Sequence, residues 1–296
     1  MFGRARPPES FSAAKVQAVE DAARALGIEG PRWARDGATF THRNEPRHLD
    51  LAELEARFER PDRPVPISAL ALAAGLRITP GPDVIADFQL MKPLLRPRIL
   101  HERELSGPRR AMCRRDTFGG MLQAVAVGGE SAAPLVTSQT LDRWGIDFEP
   151  LFDQACANLA AVLGPEHLHS VSAAPGVLSL LHDWETVSGA AFVLDALFPR
   201  DFAVSGVVFS VPHQNLLLAM PVSPGAGAEG LAGLVQVIYM AADSPAELLS
   251  TSVFWWRDGV ATYLPMTAVE DGRSRRIHME ARGPLDELLR ILGALD

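Results

Sequence analysis

The sequence predicts an α+β fold, mixed or antiparallel sheet packed against helices, with a helix-hairpin-helix subdomain at the N-terminus. Three observations carry that prediction. Apolar residues recur at helical spacing in separate stretches, beginning with Val16, Val19, Ala23 and Leu26. Between them lie short β-rich runs that come in pairs, including those around Asp36-Gly37 and Asp258-Gly259. Helical and extended stretches alternate irregularly, which suits hairpins better than the βαβ repeat of a doubly wound sheet. The subdomain spans residues 1–86 and the main α/β body residues 87–296.

Taken in order, Ser12 to Leu26 reads as a helix closed by Gly27. Pro31 to Thr41 reads as a hairpin in which Asp36-Gly37 supplies the positive φ of a tight turn, flanked by Trp33 and Phe40. Asp50 is placed to cap a helix carrying Leu51, Leu54 and Phe58. After Pro61 and Pro64 a second apolar helix runs from Ile67 to Leu76. Asp87 to Arg115 is dense in proline and arginine and only partly periodic. Met121 to Val127 alternates as a strand does. Pro134 to Leu159 combines a strand end, a short helical turn stopped by Gly145, and a helix opened by Asp147. That helix tolerates Pro150 in its first turn and is expected to bury Phe148, Leu151, Phe152, Ala155, Leu159 and Val162.

Downstream, Ala190 to Phe198 predicts a helix and Val204 to Val211 a strand. Pro212 to Asn215 predicts a turn, and Leu216 to Pro221 the partner strand. Ser223 to Gly230 is a loop of small residues, expected to be flexible. Leu231, Leu234, Val235, Ile238 and Tyr239 share a helical face. Ser252 to Leu264 is a hairpin that turns Trp255 and Trp256 to opposite faces. Pro284 begins a closing helix built on Leu285, Leu288, Leu289 and Leu292.

Composition narrows the function classes. With 296 residues and 47% hydrophobic content the chain can bury a substantial core. A net charge of −8 argues against a wholly basic nucleic-acid binder. Cys113 and Cys156 form no CxxC pattern, which suits a reducing cytoplasm better than a disulfide scaffold. The opening fifteen residues lack the apolar core of a signal peptide, and no apolar run is long enough to span a bilayer. A cytoplasmic protein without membrane partners is the expectation. Phosphate-loop, HExxH, GxSxG and paired CxxC patterns do not occur. No cofactor is implied.

Three groups of residues remain as site candidates. His167 and His169 would share one strand face and could meet a metal with His182, Asp183 or Glu185. A solvated strand face is the simpler reading. Lys92, Arg96, Arg98, Arg103, Arg109, Arg110, Arg114 and Arg115 form a basic block in an acidic chain, broken by Glu102, Glu104 and Asp116. Guanidinium forks suit carboxylate and phosphate, so an acidic ligand or protein partner is the expected target. The block lacks interleaved aromatics to stack bases, which disfavours nucleic acid. Trp255 and Trp256 are interface candidates, because a strand cannot easily bury both against one sheet face. Trp144 reads as an anchor for its short helix.

Leu141, Trp144 and Gly145, followed by Ala155, Asn158 and Leu159, resemble the signature of the YtpQ-like domain-of-unknown-function family of bacterial proteins. Residues 94–99 and 208–220 are similar to further family stretches, and the likeness covers roughly Leu90 to Leu264. Where that family commonly has Arg-Asp after Val-Pro, this chain has Gln214 and Asn215. Loss of the Asp removes a general base while keeping turn geometry. The resemblance implies kinship without a reaction. The expected function is therefore a non-catalytic binding or protein-interaction module. The alternatives are a metal-assisted hydrolase using His167, His169, His182 and Asp183, and nucleic-acid binding through Arg96 to Arg115.

Overall fold

Ser12 opens the first helix, α1 (Ala13–Ala25), by accepting a hydrogen bond from the Lys15 amide at 3.3 Å. The computed structural model describes residues 7–8, 11–76, 78, 80, 83–102, 114–128, 133–181, 185–199, 204–244, 248–271 and 274–295. It divides into two units, residues 1–95 with 126–147, and residues 96–125 with 148–296.

In the first unit α1 leads into an antiparallel meander of β1 (Glu29–Ala34), β2 (Gly37–His42) and β3 (Glu45–Asp50). The expected helix-hairpin-helix is thus a helix, a three-stranded sheet and a helix. The third strand, Glu-Pro-Arg-His-Leu-Asp, buries only Leu49, so its sequence carries little strand signal and pairing with β2 makes it one. The turns also depart from expectation. Arg35 and Asp36 form the turn between β1 and β2 without a positive φ, which falls instead on Gly37 (φ 156°) at the start of β2, whereas Arg43 (φ 51°) and Asn44 (φ 68°) make the left-handed turn between β2 and β3. Gly37 serves close approach, since a Cβ there would lie 2.0 Å from the Leu49 carbonyl oxygen.

Asp50 caps α2 (Leu51–Arg57), accepting from the Glu53 amide at 2.7 Å as its sequence position implies. α3 (Val65–Gly75) packs on α1 through small residues, Ala69 and Ala73 against the side carrying Ala18, Ala22 and Ala23. Val19, Trp33, Phe40, Leu54, Phe58 and Leu72 complete this core. After α4 (Phe88–Met91), the segment from 126 adds α5 (Ser138–Trp144), capped by Thr137 and closed by left-handed Gly145. The Trp144 indole N–H donates to the carbonyls of Ile85 (3.1 Å) and Ala86 (3.2 Å), and its ring lies 5.3 Å from Phe88. Trp144 is the helix anchor that the sequence suggests.

The second unit is organised by six antiparallel strands in the order β12-β11-β9-β10-β8-β7. They are β7 (His169–Ser170), β8 (Leu178–Leu181), β9 (Val207–His213), β10 (Leu216–Pro221), β11 (Val253–Arg257) and β12 (Val260–Leu264). A smaller sheet orders β4 (Leu95–His101), β6 (Met121–Val127) and β5 (Arg114–Asp116), and β13 (Met266–Asp271) pairs with β14 (Ser274–Met279).

Alternation assigns the large sheet two cores. Val208, Leu218, Met220, Val253 and Trp255 face one cluster with α8 (Glu229–Ala242) and α9 (Pro284–Ile291). Val207, Phe209, Val211, Leu217, Ala219 and Phe254 face the other, with Ile99, Met121 and the stretch 187–198. That stretch is a 3-10 run, Glu185–Phe192, then α7 (Leu194–Leu197), and not the single helix expected from Ala190 to Phe198. The loop expected to be flexible is pinned: the Gly225 and Gly227 amides donate to Ile291 (2.9 Å) and Leu292 (2.8 Å), capping the carbonyl end of α9.

Candidate functional site

Among the described residues of the second unit, a connected polar site is built around the backbone of Ile99 in β4. The Ile99 N–H donates to the Ser188 hydroxyl at 3.2 Å, and its carbonyl accepts from the Gln214 amide nitrogen at 2.7 Å. The Ser188 hydroxyl donates to Gln214 Oε1 at 2.9 Å, and the Ser188 N–H to the Gln214 carbonyl at 2.9 Å. Gln214 is held there because β9 runs through Pro212 and His213, leaving only Gln214 and Asn215 as the turn. Beside the clamp, a Cβ on Gly189 would meet the Pro97 carbonyl oxygen at 2.1 Å, so only glycine lets the 3-10 run lie against β4.

This arrangement satisfies buried backbone rather than activating a nucleophile. The Ser188 proton goes to an amide oxygen, which is no general base, and one lone pair of the hydroxyl accepts from the Ile99 N–H. The sequence marks Gln214 as a turn residue standing where the resembled family has an Arg-Asp pair, and does not mark Ser188. A serine in an apolar helix-like run carries no signal for a bond made 89 positions away in the chain.

The histidine pair does not share a strand face. His167 ends a 3-10 turn, Pro165–His167, and its Nδ1 lies 3.2 Å from the Gly164 amide and 3.4 Å from Glu166 Oε1, folded onto its own turn. His169 begins β7 and is exposed. A proline-initiated turn is the reason, since it ends before the strand begins. His182 and Asp183 lie outside the described residues. Among the described residues no group of three metal-ligating side chains gathers. Cys156 is a free thiol, half-buried on α6 (Phe148–Ala160). Burial, reinforced by the Asp153 carboxylate, pushes it up to about 12, so it remains protonated at neutral pH.

The basic block separates into differently placed parts. Arg98 is buried, at 4% exposure, because β4 is covered on both faces. Arg96, on the same side of the strand, is half-buried, and burial lowers its pKa. Arg114 and Arg115 stand exposed on β5, an edge of the small sheet. Arg115 Nη1 holds Glu149 Oε1 at 2.6 Å, with both side chains 60% exposed. Arg109 and Arg110 lie outside the described residues.

Trp255 and Trp256 do point to opposite faces, but Trp255 is core. It is 4% exposed beneath α8 and α9, and its indole N–H donates to the Ser205 carbonyl at 3.0 Å. The cover supplied by these two helices removes it as an interface residue. Trp256 is half-buried against the aromatic core of the other face.

Among the described residues no helix is long and apolar enough to cross a membrane. No protein-family model, no curated protein and no solved structure matches this chain.

Proposed function

We propose that this chain is a non-catalytic interaction module that takes an acidic ligand, or an acidic segment of a protein partner, at edge strand β5. The observation that carries the reading is the display of Arg114 and Arg115 on an exposed edge, where Arg115 already holds a carboxylate from within the same unit. A guanidinium that donates to Glu149 offers the same donors to an incoming Asp or Glu. Because both partners of that pair are exposed, exchanging Glu149 for an external carboxylate costs little. Cytoplasmic location belongs to the same reading and rests on the cysteine pattern. Kinship with the YtpQ-like family also belongs to it and rests on the Leu141–Leu159 signature.

The test is fluorescence anisotropy with a labelled oligoglutamate peptide, titrated at several salt concentrations. Binding is expected to weaken as salt rises and to fall at least about tenfold in Arg114→Glu/Arg115→Glu. Affinity that ignores both salt and charge reversal refutes the site. Tighter binding to an unlabelled DNA duplex competitor than to oligoglutamate would transfer it to nucleic acid.

A further inference from the structure

An edge strand offers unpaired N–H and C=O groups to any chain that can align with it, and proteins usually blunt such edges. The three- and six-stranded sheets here follow that rule with one exception. β1 carries Gly30-Pro31 and a break in register, and β3 carries Pro46 among charges. β4 contains Pro97, β5 is three residues of Arg-Arg-Asp, and β7 is two residues long. β12 has none of these devices. It is Val-Ala-Thr-Tyr-Leu, uncharged, free of proline, and in unbroken register with β11. Val260 and Tyr263 are exposed, at 62% and 49%. Among the described residues β12 has no strand beyond it and no backbone hydrogen bond outside its ladder with β11.

We propose that β12 is the edge through which two copies of this chain join, antiparallel about a two-fold axis at Thr262, so that the six-stranded sheet continues into its partner. Hairpin geometry sets the register. Asp258 (φ 50°) and Gly259 (φ 80°) form a two-residue left-handed turn, so Arg257 and Val260 close it by hydrogen bond. Val260, Thr262 and Leu264 therefore direct their backbone groups to β11, and Ala261 and Tyr263 direct theirs outward. A two-fold at Thr262 sets Ala261 opposite Tyr263 of the second copy, and each such pair exchanges both hydrogen bonds. Val260 then stands opposite Leu264, and Thr262 opposite itself, pairings that an antiparallel seam favours. The turn at Gly259 on one copy meets Pro265 on the other, which ends the seam at the limits of the strand.

Charge selects a second copy over a charged partner. The strand has no charge for a foreign acidic or basic segment to read. For two chains each carrying −8, a neutral strip is also where approach costs least. The seam is short, so association is expected to depend on concentration rather than to be permanent.

Sedimentation velocity of the full chain, from about 1 to about 200 µM, tests the proposal. The mass is expected to rise from 32.0 kDa toward twice that value. Thr262→Lys and Thr262→Glu, each placing like charges on the axis, are expected to stay monomeric alone and to form a mixed dimer when combined. Both variants are checked for wild-type thermal melting. A wild type that remains at the monomer mass overturns the proposal, as does a mass that climbs past the dimer without a plateau. Dimerisation unaffected by either charge, or folded variants that fail to pair when mixed, overturns it equally.

Discussion

The two faces of the six-stranded sheet are covered in different ways. On one, α8 and α9 lay Leu231, Leu234, Leu285 and Leu288 onto Val208, Leu218 and Trp255. On the other, a 3-10 run, α7 and parts of β4 and β6 cover Phe209 and Phe254, with Phe118 inserted 4.8 Å from Phe254 and 5.5 Å from Phe209. An α-helix satisfies its own backbone and needs only an apolar stripe to cover a sheet. An irregular cover leaves backbone groups over, and here the side chains of Ser188 and Gln214 answer those of Ile99. The comparison teaches that both side chains of the clamp, Ser188 in the 3-10 run and Gln214 in a turn, stand where strand and α-helix stop.

The largest expected effect lies in the aromatic core. Phe254→Ala should destabilise by about 3–5 kcal/mol in urea unfolding, and Leu234→Ala, on the helical face, by about 2–4 kcal/mol. Equal losses would show that the two covers resist cavities alike. Next comes the clamp. Gln214→Ala leaves the Ile99 carbonyl and the Ser188 hydroxyl without their partner and should cost about 2–3 kcal/mol, against about 1–2 for Ser188→Ala. The double variant should lose less than the sum by at least about 0.5 kcal/mol, because both changes open the same network. Strict additivity would break the view of it as one unit. The smallest effect belongs to the polar contact on the helical side, Arg257 to Glu287 at 2.7 Å. Glu287→Gln should change stability by no more than about 0.5 kcal/mol, since both side chains are about half exposed. A loss as large as that of Gln214→Ala would erase the contrast between the two faces.

Legibility in the sequence follows the same division. α1 and α2 announce themselves through caps and apolar periodicity, α8 and α9 through periodicity, and the β11–β12 hairpin through an Asp-Gly turn whose residues do adopt positive φ. Asp36-Gly37 has the same letters and a different role, because β3 approaches Gly37 closely enough to exclude a Cβ. β4 is obscured by its proline and two arginines, and β7 by its length. At the candidate site, the exposure of Arg114 and Arg115 agrees with their charge. The burial of Arg98 does not follow from its charge, because it depends on what the chain stacks on both faces of β4.

Sequence by itself determined the α+β character, the helices with caps or apolar stripes, and the opposite facing of Trp255 and Trp256. Each of these depends on residues within a few positions of one another, where spacing and rotation along the backbone fix the geometry. Tertiary structure alone decided that residues 126–147 join the N-terminal unit, that Trp255 is buried, that Ser188 and Gln214 serve Ile99, and that β12 stands at an edge. Those outcomes depend on contacts between segments tens of residues apart, and local pattern carries no record of which surfaces the folded chain will bring together.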